Sequence, residues 1–259
     1  MTAPLRIERE GGLAILTFDF PPLNFWGDEM WVALPAAMSE LAAAPPRALL
    51  IRAEGRVVSA GVNVGHFQRL DEHAALTVWR EQLVMLETLE ALPCPTIFAA
   101  HALTLTAAFE VALGCDVILS ARSAKFGLVE RRVGLTPANG GVQRLAALAG
   151  VNRARDLVFS GELFDAETMH SWGVVTRVFD DEGFNDAALA YARDLASGPT
   201  LGYGAVKELI RQFNRGGVPA ADAIMPELAA GLFSTADLQA ALAGFIEHGP
   251  HHETPFEGR

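Results

Sequence analysis

Along the first 150 residues, short apolar runs rich in β-formers alternate with longer stretches of helical periodicity. That order constrains the fold more than any other feature of the chain. Repeated strand-then-helix units bring each new strand back beside the last, which builds an α/β architecture around a buried sheet. The run "LAILTFDF" (residues 13–20) reads as a strand, and "PPLNFWG" breaks it. Residues 28–44 set Met30, Leu34, Met38 and Leu41 at helical spacing. "RALLIRAEG" is a short buried strand closed by glycine, followed by the small-residue loop "VVSAGVNVG". A long helix is expected over residues 72–92, ending before Pro93. "PTIFAAHA" and "DVILSA" are further buried strands, with the helix "LTAAFEVALG" between them. "FGLVERRVGLTPANGGVQRLAALAG" opens as a loop and becomes helical after its glycine pair.

Near Asn152 the pattern changes to helix, turn, helix and short strand. After Asp181 it is mainly helical, over residues 187–195, 201–213, 225–232 and 235–246. Half of the 259 residues (51%) are hydrophobic, enough for a substantial core. The net charge of −11 disfavours nucleic acid and anionic membrane surfaces as partners, while a small anionic ligand needs only a local basic patch. Cys94 and Cys115 lack metal-ligand spacing and are expected as buried free thiols in a reducing, cytoplasmic setting. The charged start "MTAPLRIERE" contains no apolar targeting core. Residues 96–115 have the length of a membrane span, but they include His101 and Glu110 and divide into a strand-like and a helix-like half. The tail "HGPHHETPFEGR" is polar and turn-rich, and its His251–His252 pair is too short for a metal site, so no metal is expected.

Glu110 lies among Phe109, Val111, Ala112 and Leu113. A lone carboxylate is among the costliest groups to remove from water, so Glu110 either points to solvent or has a task that needs a dry place. In the second case its pKa rises and it can exchange a proton near neutral pH. The turn before its helix presents free N–H groups suited to a developing negative charge. Glu130 sits between "FGLV" and two arginines; it is either a surface partner of Arg131 or Arg132 or a second acid. Ser59, Ala60 and Gly61 would let a ligand approach the backbone closely.

Together these stretches resemble the enoyl-CoA hydratase/isomerase (crotonase) superfamily. The likeness runs through "RALLIRAEGRVVSAGVNV", "PCPTIFAAHALTLTAAFEVALGCDVILSARSAKFGLVERRVGLTPANGGVQRLAALAG", "RARDLVFSGELFDAETMHSWGVVTRV" and the final "PFEGR". It implies a crotonase-type spiral of ββα turns over residues 1–195, holding the active site. Residues 196–259 would form a helical region for oligomerisation, as a homotrimer or a dimer of trimers, that also covers the site. It implies an oxyanion hole from the N–H groups of Val62 and Ala107, with Glu110 and Glu130 working on water and the α-carbon of a 2-enoyl-CoA thioester. Coenzyme A would be part of the substrate, and no separate cofactor is implied.

Backbone near Ser59, Ala60 and Val62 would hold adenine and pantetheine. Arg56 is the first candidate for the phosphates. Lys207 is the second, against its reading as a solvated helix lysine. The family's terminal phosphate-binding lysine is absent, with His248 close to its place. Phe25, Trp26, Phe67 and the long helix would line the acyl pocket or form ordinary core.

The chain departs from the family pattern at three points. Thr106-Ala107-Ala108 replaces a glycine triplet, His101-Ala102 replaces Asn-Gly, and Asn63 stands where an aspartate is common. His101 is expected as a core histidine with a backbone partner. The reading is an enoyl-CoA hydratase. The alternatives are an isomerase, a CoA-thioester hydrolase, or a weakly active or non-catalytic acyl-CoA-binding relative.

Overall fold

A computed structural model describes residues 3–259. Met1 and Thr2, at the head of the segment read for a targeting signal, lie outside the described residues. The elements in chain order are β1 (Leu5–Glu10), β2 (Leu13–Phe18), α1 (Asp28–Ala43), β3 (Ala48–Ala53), α2 (Val64–Phe67), α3 (Glu72–Ala91), β4 (Thr96–Ala100) and β5 (Thr104–Leu105). Then come α4 (Ala107–Leu113), β6 (Val117–Ala121), β7 (Lys125–Gly127), a 3-10 turn at Glu130–Val133, α5 (Gly141–Ala149), α6 (Val151–Ser160), β8 (Phe164–Asp165), α7 (Ala166–Ser171) and β9 (Arg177–Phe179). Four helices complete the chain: α8 (Phe184–Ser197), α9 (Thr200–Asp222), α10 (Met225–Leu232) and α11 (Ala236–His248).

A six-stranded sheet runs in the order β1-β2-β3-β4-β6-β9. β1 is antiparallel to β2, and every other pair is parallel. Its inner strands β2, β3, β4 and β6 read as largely apolar runs because both of their faces are covered. One face, with Leu16, Phe18, Leu49, Ile51 and Phe98, meets the main core. The other, with Leu13, Ile15, Leu50, Ile97 and Leu119, meets the stripe Phe184, Ala188, Ala192 and Ala196 of α8. That helix closes the second face and ends at Ser197, so the expected boundary at residue 195 falls in its last turn.

A second sheet of three short strands runs β5-β7-β8. Successive turns of the chain therefore send one long strand to the large sheet, one short strand to the small sheet, and then a helix: β4-β5-α4 is one such turn. The segment after β3 follows the same path without a full short strand, since Ser59 bridges to Thr104 at the end of β5. This is the spiral of ββα turns that the sequence implied.

One element was not foreseen and one expected helix is longer than its sequence reading. The charged N-terminal segment forms edge strand β1, where Leu5 and Ile7 pack on the core and alternate residues face outward. The second predicted helix of the tail, expected over residues 201–213, extends to Asp222 as α9, with a break in helical geometry at Gly216 and Gly217 just before Pro219. Among the described residues no single helix is long and apolar enough to cross a membrane, and the 96–115 run is divided between β4, β5 and α4.

Candidate active site

The parallel bridges place two backbone donors side by side. Ser59 pairs with Thr104, and the chain runs on in parallel to Val62 on one side and Ala107 on the other. Gly61, at φ +104°, brings the segments into contact: a Cβ there would lie 3.3 Å from Thr106 Oγ1. Trp26 bridges to Val62 through the Gly61 carbonyl and the Asn63 N–H, both at 2.9 Å, so the Val62 N–H faces the other way. Ala107 opens α4, and the Leu103 carbonyl that could receive its N–H already accepts from Val58 and Ser59. Among the described residues neither N–H donates a hydrogen bond.

The loop is held rigid by its own residues. Ser59 is fully buried, its hydroxyl donating to the Asn24 carbonyl at 2.7 Å and accepting from the Gly61 N–H at 3.1 Å. The Ala60 N–H donates to the Leu23 carbonyl at 3.0 Å. Thr106 takes the left-handed φ of +49° at the entry to α4, a conformation rare for a β-branched residue. The strain that the missing glycine triplet introduces therefore falls on Thr106, while Ala107 and Ala108 are helical and buried.

Glu110 is only 3% exposed. Its Oε1 accepts from the Asn139 and Gly141 N–H groups, each at 2.9 Å, while Oε2 makes no hydrogen bond among the described residues. The cradle needs glycine: a Cβ on Gly141 would lie 2.7 Å from Glu110 Cγ. Gly140 takes φ +88°, turning the chain so that α5 starts against the carboxyl group. Arg144 braces this turn, paired with Glu90 at 2.7 and 2.8 Å while donating to the Gly140 carbonyl at 3.3 Å.

Burial first, and the charge of nearby Glu130 second, raise Glu110 to about 8 against the opposing pull of the two backbone donors and Arg144. Glu130 is itself pushed by burial to about 7. It forms no ion pair with its neighbours, because Arg131 donates to the Phe159 and Ser160 carbonyls and Arg132 to the Gly161 carbonyl. Its Oε2 is buried without a partner among the described residues. The surface-pair reading of Glu130 fails because carbonyls at the end of α6 occupy both guanidinium groups. The structure thus gathers two free backbone donors in one place and two shifted carboxyl groups in another beside it, joined through α4.

The other candidates are dispersed. Arg56 is exposed in the turn after β3 and donates no hydrogen bond among the described residues. Lys207 is neither solvated nor free for a phosphate: it holds Asp116 at 2.6 Å and the Cys94 carbonyl at 2.9 Å, fastening α9 to the sheet. His248 lies beside His252, ring centroids 4.7 Å apart. His101 meets the Gly55 carbonyl at 3.0 Å, the backbone partner expected of it, but it is partly exposed rather than a core residue. Trp26 is fully buried, Phe25 is 38% exposed, and Phe67 is half-buried beside Trp31 and Trp79. Sequence reasoning missed Asn139, Gly141 and Arg144 as the holders of Glu110. The "NGG" turn, a glycine pair entering a helix, was the available signal.

The family model for "Enoyl-CoA hydratase/isomerase" matches residues 8–257. A curated relative, "1,2-epoxyphenylacetyl-CoA isomerase" of Escherichia coli K12, is 34% identical over 208 residues, covering 78% of this chain and 79% of its own. A "Probable enoyl-CoA hydratase" of Rhodobacter capsulatus is 29% identical over 257 residues, covering 96% and 97%. The solved structure of an enoyl-CoA hydratase from Bacillus anthracis superposes with a TM-score of 0.90 at 23% identity, covering 99% of this chain and 100% of that one, which bears on the fold alone. With a match over nearly its whole length and a crotonase-type spiral, the chain belongs to the enoyl-CoA hydratase/isomerase family.

Proposed function

We propose that the protein adds water across the α,β-double bond of a 2-enoyl-CoA thioester. The observation that carries this reading is the pair of buried carboxyl groups, Glu110 at about 8 and Glu130 at about 7, next to the free N–H groups of Val62 and Ala107. The thioester oxygen accepts from both N–H groups. As enolate charge grows on that oxygen the two bonds strengthen, and each such donor typically contributes about 2.7–4 kcal/mol to the rate. One carboxylate takes a proton from water as the new C–O bond forms at Cβ. The other acid, still protonated, gives its proton to Cα. No proton is gained or lost overall, and two acids that titrate near neutrality are suited to this exchange.

The exposed guanidinium of Arg56 is the group available for the phosphates of coenzyme A. Val206, Ile210 and Phe213, each more than half exposed on one side of α9, would be covered by other copies in a trimer or a dimer of trimers. A double-bond isomerase would use the same oxyanion hole with a single acid; the second buried acid favours hydration.

The test is incubation with crotonyl-CoA and longer 2-enoyl-CoAs, following enoyl absorbance and free thiol. Loss of absorbance without thiol is the expected result. Thiol release would make the protein a hydrolase, and CoA-ester binding with neither change would make it a non-catalytic relative.

A further inference from the structure

Behind the Val62 loop lies a cluster of buried polar atoms that the proposed reaction does not use. Trp26, bridged to Val62, packs on Trp31 at 6.0 Å between ring centroids. Trp31 stacks on His66 at 5.9 Å and meets Trp79 edge-on at 5.9 Å. Within this group the Nε1 of both Trp26 and Trp31, the Nε2 of His66 and the Oε1 of Gln82 are all buried with no hydrogen-bond partner among the described residues. Four unpartnered polar atoms gathered in one place call for a partner, since each one left unpaired carries the cost of leaving water.

The orphaned imidazole is also aimed. His66 is 8% exposed, and its Nδ1 meets Asp28 Oδ1, with Asp28 braced on its other oxygen by Arg69 at 2.5 Å. When Nδ1–H donates to Asp28, the neutral ring leaves its Nε2 lone pair as an acceptor. Gln82 is fixed likewise, its Nε2 donating to the Trp31 carbonyl at 3.1 Å so that Oε1 points elsewhere. The cluster therefore offers two N–H donors and two acceptors between aromatic faces. A plain alkyl chain satisfies none of them.

We propose that the acyl group of the substrate is a compact planar one bearing a hydrogen-bonding oxygen, received among these indoles with His66 Nε2 contacting that oxygen. The inference rests on the CoA-thioester reading of the site and narrows its substrate class. A flat group stacks on tryptophan faces, and a hydroxyl both donates to His66 or Gln82 and accepts from an indole N–H.

The test uses binding, so that it does not depend on turnover. Benzoyl-CoA and the 2-, 3- and 4-hydroxybenzoyl-CoA isomers are titrated calorimetrically into wild type and His66→Phe. At least one hydroxylated ester is expected to bind about tenfold or more tighter than benzoyl-CoA, the scale of a satisfied against an orphaned buried pair. His66→Phe keeps a flat ring and should erase that preference while benzoyl-CoA binding is kept. Asp28→Ala, at an exposed position, should weaken it in part by freeing the imidazole. If all four esters bind wild type equally, or the preference survives His66→Phe, the inference is overturned. The wild-type comparison decides the matter even if the variant does not fold. Failure of every CoA ester to bind would instead overturn the thioester reading itself.

Discussion

Glu110 and Asp237 are both buried carboxyl groups on helices, and each receives two backbone N–H groups. They differ in how those donors are spent. Asp237 gives one oxygen to the Glu257 N–H and the other to the Gly258 N–H, each at 2.8 Å, and so clamps the end of the chain to the start of α11. Glu110 puts both donors on Oε1 and keeps Oε2 unbonded, with an unpartnered Glu130 oxygen nearby. A carboxylate satisfied on both sides is a fastener. One satisfied on a single side, and shifted toward neutrality by burial, is left able to move a proton.

The sharpest way to break this comparison is to alter both groups. Glu110→Gln keeps the shape and removes the transferable proton, so kcat for the proposed hydration should fall by about 10²–10⁴ with the fold retained. Asp237→Ala should leave kcat of the folded protein unchanged and instead cost about 1–3 kcal/mol of stability, by orphaning two N–H groups, read from urea midpoints. If both variants lose activity alike, the distinction between fastener and acid is wrong. Gly141→Ala is the next largest effect. Its backbone φ suits alanine, but the new Cβ would lie 2.9 Å from Glu110 Oε1. The carboxyl group must shift, and a misplacement of about 1 Å typically costs about 10² in rate.

The same two acids show what the sequence made legible. The burial of Glu110 could be read from its neighbours, because Phe109, Val111, Ala112 and Leu113 leave a short helix no polar face, and all are buried. Glu130 could not be read that way, because Arg131 and Arg132 beside it are equally consistent with a surface pair. What removes them is the end of α6, about 30 residues along the chain, whose carbonyls accept both guanidinium groups. Lys207 was misread for the same reason, since its partner Asp116 is 91 residues away. Strand β1 was missed because four of its six residues are charged, on an edge strand with one wet face. Apolar runs and helical periodicity are local and survive in sequence; the choice of partner for a charge is made by the fold.

The raised pKa of Glu110 also makes stability depend on pH. Folded Glu110 holds its proton up to about 8, while the unfolded chain releases it near 4.5. Between those values the native state binds more protons than the unfolded state. Stability contributed by this group is therefore present below about pH 4.5 and is lost as pH rises toward 8, at no more than about 1.4 kcal/mol per unit. Glu110→Gln has no such loss, so its stability relative to wild type should rise steadily from pH 5 to pH 8 and then level off. Urea unfolding at pH 5, 6.5 and 8 measures the slope, and parallel curves would contradict the shifted pKa.

The smallest effect concerns the turn that leads into α4. Thr106 holds φ +49° and ψ −122° with its hydroxyl buried and unpartnered, whereas Ala107, one residue on, is ordinary helix. A strained backbone of this kind costs about 1–3 kcal/mol, and glycine removes the strain at an entropic cost of about 0.5–1 kcal/mol. Thr106→Gly should therefore gain about 1 kcal/mol and raise Tm by about 2–4 °C. Ala107→Gly relieves nothing and should lose about 0.5–1 kcal/mol. The opposite signs locate the consequence of the missing glycine triplet at its first residue. If Thr106→Gly is destabilising as well, the threonine methyl, 3.6 Å from where a Gly61 Cβ would stand, is holding the two donor segments together, and the strain is offset by packing.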